Sequence, residues 1–250
     1  GVKVQAEMGG KNPLVVLEDC DMGLAVESTA QGAFGSTGQR CTATSRAIVI
    51  DKIADEFVEK IVERAKSFRL GPGNDPKTDI GPSVDESQFK TVLKYIDIGR
   101  EDGAEMLCGG RRAEGEGLEN GWFVEPTVFD RVTTDMRIAR EEIFGPVLAV
   151  LRVKDYEEAM AVANDSEYGL SSSVFTNDVN LMYRFIEDIE TGMTHVNSPT
   201  TGGEAHIPFG GIKNTGLGAR EQGSTALDFY TELKVVYIDH TGRKREGNLY

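Results

Sequence analysis

Apolar positions along this chain change their spacing several times, and each change marks an element. Leu14-Val15-Val16-Leu17 is a continuous apolar run after Pro13, the pattern of a strand buried on both faces, and it stops at Glu18-Asp19-Cys20-Asp21. Asp21 is placed to cap a helix over 22–34, rich in alanine and other small residues, which leads into a glycine-containing loop at 35–39. A second apolar run at 46–50 precedes Ile53, Phe57, Val58, Ile61, Val62 and Ala65, the three-to-four spacing of a helix over 53–68. Gly71-Pro72-Gly73-Asn74-Asp75-Pro76 is a loop, 86–104 a helix ending at Gly103, and 111–120 an exposed, charged loop between two strands. Further on come a strand at 147–153, a helix capped by Asp155 and reaching Asn164, a strand at 171–176 and a helix at 180–190.

This succession predicts an α/β fold: an open, mostly parallel twisted sheet with helices on both faces and functional groups in the loops at strand and helix ends. Two segments sit outside the alternation. Val2-Lys3-Val4-Gln5 alternates like a strand already under way and no initiator Met precedes it, which reads as a fragment of a longer protein. Leu233-Lys234-Val235-Val236-Tyr237-Ile238 has strand character with little chain left to cover it, so it is expected to pair outside the domain, with a polar, loose tail after His240. The chain therefore divides into a domain at 1–230 and a C-terminal strand and tail at 231–250.

Charge and composition narrow the partners. With 250 residues and 39% hydrophobic content the chain can bury a sizeable core, and its net charge of −14 repels nucleic acid and anionic membrane surfaces. No apolar run approaches the roughly 20 residues that span a bilayer. A cytoplasmic protein handling small molecules fits best. Cys20, Cys41 and Cys108 are odd in number, widely spaced and without a C-x-x-C pair, so neither a disulfide framework nor a metal site is expected.

Candidate chemistry begins at Cys41, in Thr37-Gly38-Gln39-Arg40-Cys41-Thr42. Arg40 beside the thiol favours the thiolate, and backbone N–H groups of the loop can hold an oxyanion. Upstream, Glu7 opens Glu7-Met8-Gly9-Gly10-Lys11-Asn12-Pro13, whose double glycine permits close backbone approach. Taken singly, a cysteine is more often a small buried hydrophobe and such a glutamate a solvated carboxylate. Two further segments are Glu141-Glu142-Ile143-Phe144-Gly145-Pro146 and the stretch from Pro208-Phe209-Gly210-Gly211 to Gly218-Ala219-Arg220-Glu221. No Gly-x-Gly-x-x-Gly fingerprint and no P-loop is present. His195 and His206 read as hydrogen-bonded structural residues, and Cys20 and Cys108 as core.

Together these segments resemble the aldehyde dehydrogenase superfamily, over its C-terminal half and along the whole of this chain. The resemblance implies Cys41 as nucleophile and Glu7 as the general base that activates the deacylating water. It implies that Glu142 holds the nicotinamide ribose of NAD or NADP, that Phe144 lies near the nicotinamide, and that Gln88 matches a position which in several relatives reaches the same ribose. Gly169 and Asn197 match segments that shape the family's active site, although turn and packing roles explain them equally well. The reaction implied is oxidation of an aldehyde to a carboxylic acid through a cysteine thiohemiacetal and thioester.

The dinucleotide-binding domain and the oxyanion-holding Asn of the family would precede Glu7, with residues 1–10 at the junction, so this chain alone is expected to be weak or inactive in hydride transfer. Arg40 either pairs with a carboxylate or phosphate on the far end of the substrate, or faces a structural carboxylate or only tunes Cys41. The stretch from Gly202 to Gly216 looks most like the branch acting on 2-oxoglutarate semialdehyde. A homo-oligomer, dimer or tetramer, is implied through the C-terminal strand. The competing readings are a non-redox binding or assembly partner and a cofactor-independent thiol esterase.

Overall fold

A computed structural model describes residues 1–238, 240 and 242. The chain runs through β1 (Ala6–Glu7), β2 (Asn12–Val16), α1 (Met22–Phe34), a short 3-10 turn (Gly35–Gly38), β3 (Thr44–Ile50) and α2 (Asp51–Ser67). It continues through α3 (Glu86–Glu101), β4 (Glu105–Cys108), β5 (Thr127–Asp130), α4 (Arg137–Arg140), β6 (Val147–Val153) and α5 (Tyr156–Asn164). The last elements are β7 (Tyr168–Gly169), β8 (Ser171–Phe175), α6 (Val179–Asp188), β9 (Met193–Val196), β10 (Ile212–Lys213), β11 (Gly216–Leu217) and α7 (Gly223–Tyr230).

Seven strands form one sheet in the order β4-β5-β6-β3-β2-β8-β9. Every neighbouring pair is parallel except β4 with β5. The apolar runs produce this arrangement because the central strands are covered on both faces. In β2, Val15 packs into one core cluster while Leu14 and Val16 pack into the other, and in β3 Ile48 opposes Ala47 and Val49 in the same way. Val26, Ala30 and Phe34 of α1 and Phe57 and Ile61 of α2 fill one face; Phe89, Val92 and Ile96 of α3, Ala159 of α5 and Phe185 of α6 fill the other.

The helix starts follow from aspartate capping. Asp21, Asp85, Asp155 and Asp178 each accept a backbone N–H in the first turn, from Leu24, Gln88, Glu158 and Asn180 respectively.

Some expectations change. Residues 2–5 form no strand: Val2 is 92% exposed, and strand pairing begins only where β1 meets β11 antiparallel. Alternation without a neighbouring strand to supply hydrogen bonds does not make a strand. The 111–120 loop is not wholly exposed, since Ala113 and Leu118 form a small core with Phe123. Residues 233–238 make no strand with the described chain, and Leu233, Val235, Val236, Tyr237 and Ile238 are all exposed. Most of the tail expected after His240 lies outside the described residues.

Candidate active site

All the loops that carry the candidate chemistry meet at the amino-terminal edge of the sheet. Asn12 starts β2, Thr44 starts β3, Val147 starts β6 and Ser171 starts β8, and these strands run parallel as neighbours in the order β6-β3-β2-β8, with a register shift between Asn12 and Pro13. Cys41 stands just before β3 in a backbone bent by three successive left-handed residues, Ser36 (φ 52°), Thr37 (φ 61°) and Gly38 (φ 65°). Left-handed backbone costs a non-glycine residue about 1 kcal/mol or more, so the surroundings must hold it. They do so with Thr37 Oγ1 donating to the Gly81 carbonyl (3.0 Å), and with Gln39 donating to Pro82 O (3.2 Å) and accepting from Val84 N (2.8 Å). A Cβ on Gly38 would stand 2.2 Å from the Gly145 carbonyl oxygen, so only glycine lets the thiol loop touch the Phe144 segment.

The carbonyls around Cys41 are tied to the sheet by two side chains that sequence reasoning passed over. Asn12 Nδ2 donates to Cys41 O and Ala43 O, both at 2.8 Å, while its Oδ1 accepts from Ser171 N at 3.0 Å. Thr200 Oγ1 donates to Thr42 O at 2.7 Å and pairs with Thr44 Oγ1 at 2.8 Å. Asn12 sits inside the segment opened by Glu7, and a polar side chain at the mouth of an otherwise apolar strand was the available signal. Thr200 carried none.

Cys41 is half-buried and free. Burial pushes its thiol up, the Thr42 backbone N–H opposes this, and the Glu142 and Glu7 carboxylates raise it further. Arg40 does not contribute, contrary to the expectation that it promotes the thiolate. Its side chain is exposed, forms no ion pair or side-chain hydrogen bond among the described residues, and lines a small cleft with Gly10, Thr44, Glu142 and Phe144.

Glu7 lies in β1 opposite Gly216 of β11, and Cβ atoms added to Gly210 and Gly216 would approach its Oε1 to 2.7 and 3.1 Å. The glycine-rich stretch thus forms the wall against this carboxylate. Its Oε2 is buried without a hydrogen-bond partner. Burial raises its pKa, Glu221 adds to the rise and Arg220 opposes it.

Glu142 Oε1 accepts from Gly10 N at 3.0 Å, and a Cβ on Gly9 would come within 2.4 Å of Oε2. Burial raises this carboxyl as well, with the Gly10 N–H and Lys11 opposing. Its Oε2 takes no hydrogen bond among the described residues, so an acceptor remains for a donor from outside the chain. Phe144 has φ 57° and is 39% exposed, a large apolar ring held in left-handed backbone beside this carboxylate. Gln88 donates to the carbonyls of both Ile143 and Phe144 at 2.9 Å, bracing that turn. A free carboxylate oxygen next to an exposed aromatic ring suits the diol and the flat ring of a nicotinamide nucleoside.

Other candidates fall elsewhere. Asn197 lies at the opposite end of the sheet, bonding Thr176 N and O at 3.1 and 3.0 Å. Gly169 packs against Ile212 and donates to Thr215 Oγ1 at 2.9 Å. His195 departs from the expected hydrogen-bonded role: its Nε2 is buried with no partner, and burial lowers its pKa. His206 is exposed. Cys108 is buried with its thiol toward Pro126 O, as a core residue should be, whereas Cys20 is only half-buried against the edge of a core cluster, its thiol pushed up to about 11, mainly by burial. No group of three or more His, Cys, Asp or Glu able to hold a metal occurs among the described residues, and no helix there is long and apolar enough to cross a membrane.

The sequence profile of the aldehyde dehydrogenase family matches residues 1–236. An alpha-ketoglutarate semialdehyde dehydrogenase from Haloferax volcanii is 50% identical over 95% of this chain and 49% of its own length. The alpha-ketoglutaric semialdehyde dehydrogenase of Bacillus subtilis is 44% identical over 95% of this chain and 49% of itself. The chain spans about half the length of the curated relatives it matches. Among solved structures, betaine aldehyde dehydrogenase from Staphylococcus aureus in complex with NAD+ superposes with a TM-score of 0.88 at 37% identity, covering 90% of this chain and 44% of that one. The family profile covers nearly the whole chain and these relatives share its sequence and architecture, so the chain belongs to the aldehyde dehydrogenase family.

Proposed function

We propose that the protein carrying this chain oxidises an aldehyde to a carboxylic acid with Cys41 as nucleophile, Glu7 as general base and NAD or NADP as the hydride acceptor. The observation that carries the reading is that the segment opened by Glu7 touches both other parts of the site: Gly10 N donates to Glu142 Oε1 at 3.0 Å and Asn12 Nδ2 donates to Cys41 O at 2.8 Å. Cys41 Sγ adds to the aldehyde carbon, and the backbone N–H groups at Cys41 and Thr42 face the oxyanion that forms. A nicotinamide held beside Glu142 and Phe144 would supply the hydride acceptor that converts the carbon on Sγ to an acyl group. Glu7 then takes a proton from a water whose oxygen attacks the acyl carbon, and the thiolate departs from the acid. Glu142 and Phe144 hold the nicotinamide riboside, with Gln88 bracing the Phe144 turn.

The substrate we favour is an acidic semialdehyde such as 2-oxoglutarate semialdehyde. Two things support this: the Arg40 guanidinium beside the nucleophile, which has no ion-pair partner among the described residues, and relatives named for that class of substrate. Arg40→Ala should raise KM for acidic semialdehydes far more than for neutral aldehydes, and equal effects on both would sink this assignment. The exposed apolar strip at 233–238 is read as a strand that pairs with another copy, giving a dimer or tetramer.

The test of the central reading is intact mass after brief exposure to one equivalent of a thiol-directed aldehyde-site electrophile at pH 7. A single adduct absent from Cys41→Ala is expected. Labelling that ignores this substitution would remove Cys41 as the nucleophile.

A further inference from the structure

Arg46 is only 2% exposed and forms no ion pair among the described residues. Burial lowers its pKa to about 10, which leaves the guanidinium charged at neutral pH. A buried cation costs free energy, so what it holds explains why the fold keeps it. It stands on β3 between Pro13 of β2 and Ala149 of β6, and it donates to three main-chain carbonyls: Nε to Lys11 O at 3.1 Å, Nη1 to Val162 O at 2.9 Å and Nη2 to Ala163 O at 2.9 Å. Two of these carbonyls belong to the last turn of α5, where helix carbonyls have no partner of their own. The third belongs to the residue just before β2.

Lys11 lies between the two residues that reach the rest of the site. Gly10 N donates to Glu142 Oε1 at 3.0 Å, and Asn12 Nδ2 donates to Cys41 O at 2.8 Å. A Cβ on Gly10 would stand 2.8 Å from that same Cys41 carbonyl oxygen, and one on Gly9 would collide with Glu142 Oε2, so both approaches need glycine. Two successive glycines also have the widest backbone freedom, so the approach has to be fixed from outside the pair. Upstream, Met8 N donates to Thr215 O at 2.6 Å. Downstream, the ladder with β3 shifts register between Asn12 and Pro13, and Pro13 has no N–H to give. On that side the anchor is the Arg46 guanidinium, which ties the Lys11 carbonyl to the end of α5.

We propose that Arg46 is a positioning residue: by bridging the Lys11 carbonyl to α5 it holds residues 10–12 where Gly10 seats Glu142 and Asn12 holds the thiol loop, and so keeps the nucleophile and the cofactor carboxylate in one frame. The inference rests on the reading of Cys41 as nucleophile and Glu142 as ribose ligand. Arg46 acts on both through the backbone and side chain of residues 10–12. Its planar fork sets three acceptors at fixed relative positions, which a single lysine nitrogen cannot span. Reacting atoms have to meet within about 3–3.5 Å, so a loosened frame costs rate even with every reacting group present.

The test is a pair of double-mutant cycles on the full-length protein, run at a temperature where circular dichroism shows every variant folded. Calorimetry gives Kd for NAD+ and for NADP+ in wild type, Arg46→Met, Glu142→Gln and their double variant. The rate of Cys41 alkylation by iodoacetamide without dinucleotide, followed by peptide mass, is measured in wild type, Arg46→Met, Asn12→Ala and their double variant. Arg46→Met should raise Kd for the preferred dinucleotide and slow alkylation, each by at least about threefold. In the Glu142→Gln background its effect on Kd, and in the Asn12→Ala background its effect on alkylation, should shrink below about 1.5-fold, because the link it acts through is gone. A general loosening of the fold would act equally in every background. Arg46→Lys keeps the charge without the fork; it is expected to behave like Arg46→Met and replaces it if the methionine variant does not accumulate. Unchanged Kd, unchanged alkylation, or an effect undiminished in either background overturns the proposal while leaving Cys41 and Glu142 in their roles. A Glu142→Gln protein that binds dinucleotide like wild type removes the ribose reading, and a Cys41→Ala protein that still oxidises aldehyde removes the nucleophile reading; either takes the role of Arg46 with it.

Discussion

Glu7 Oε2 is buried and accepts no hydrogen bond among the described residues, an unusual state for a carboxylate oxygen. Because burial raises its pKa, Glu7 holds its proton to higher pH than a free glutamate and becomes a base only as pH climbs through the raised value. Deacylation should therefore rise with pH along a single limb. Glu7→Gln should slow thioester hydrolysis by a factor on the order of 10² to 10⁴ while leaving Cys41 able to acylate; stopped-flow kinetics that found acylation slowed equally would remove the base assignment. Lys11 gives a second signature. Its ammonium is lowered from 10.5 to about 7 by burial, then by Arg46, so the unfolded chain binds more protons than the folded one between those values. Its contribution to stability is complete above about 10.5 and is lost as pH falls toward 7, so unfolding free energy should rise with pH across that window. Denaturant titrations of Lys11→Met should show this slope diminished; an unchanged slope would mean that Lys11 titrates normally in the fold.

At the scale of elements, the site is made of loop anchors. Asn12→Ala would leave the Cys41 and Ala43 carbonyls and the Ser171 N–H without their side-chain partner, a loss of about 2–4 kcal/mol. Its thiol labelling should slow as well, because the loop that presents Cys41 loses its tether to β2. Gly38→Ala should cost at least about 2 kcal/mol, since the added methyl meets the Gly145 carbonyl in a left-handed backbone. Chemical denaturation measures both; a near-neutral Gly38→Ala would show that the two loops separate freely. The helices begun by Asp21 and Asp155 were legible because an aspartate cap opens each, and the strand 147–153 because its apolar run is nearly continuous. The short β7, β10 and β11 were not legible, because two-residue strands are created by their partners and leave no periodicity of their own.

Across the whole molecule, an acidic α/β domain carries an apolar strip at 233–238 on which Tyr237 is 94% exposed. Exposed strand-like sequence of this kind ordinarily finds another edge to pair with. Val235→Pro removes a backbone donor and Tyr237→Lys adds charge, so together they should shift the full-length protein to a smaller species in light scattering. An unaltered assembly would assign the interface elsewhere.

By itself the sequence determined the alternation of strands and helices, the resemblance to the family and the candidacy of Cys41, Glu7, Glu142 and Phe144, because apolar period and residue order along short segments are local properties. It did not determine which edge of the sheet holds the site, nor that Glu142 rests on the Gly9–Gly10 backbone, nor that Asn12 and Thr200 clamp the thiol loop. Those facts depend on pairs of groups remote in the chain, such as Gly10 with Glu142 and Asn12 with Ser171, whose meeting is set by sheet order. The same holds for Lys11, whose Nζ is buried with no hydrogen bond among the described residues, since burial is a property of packing in three dimensions.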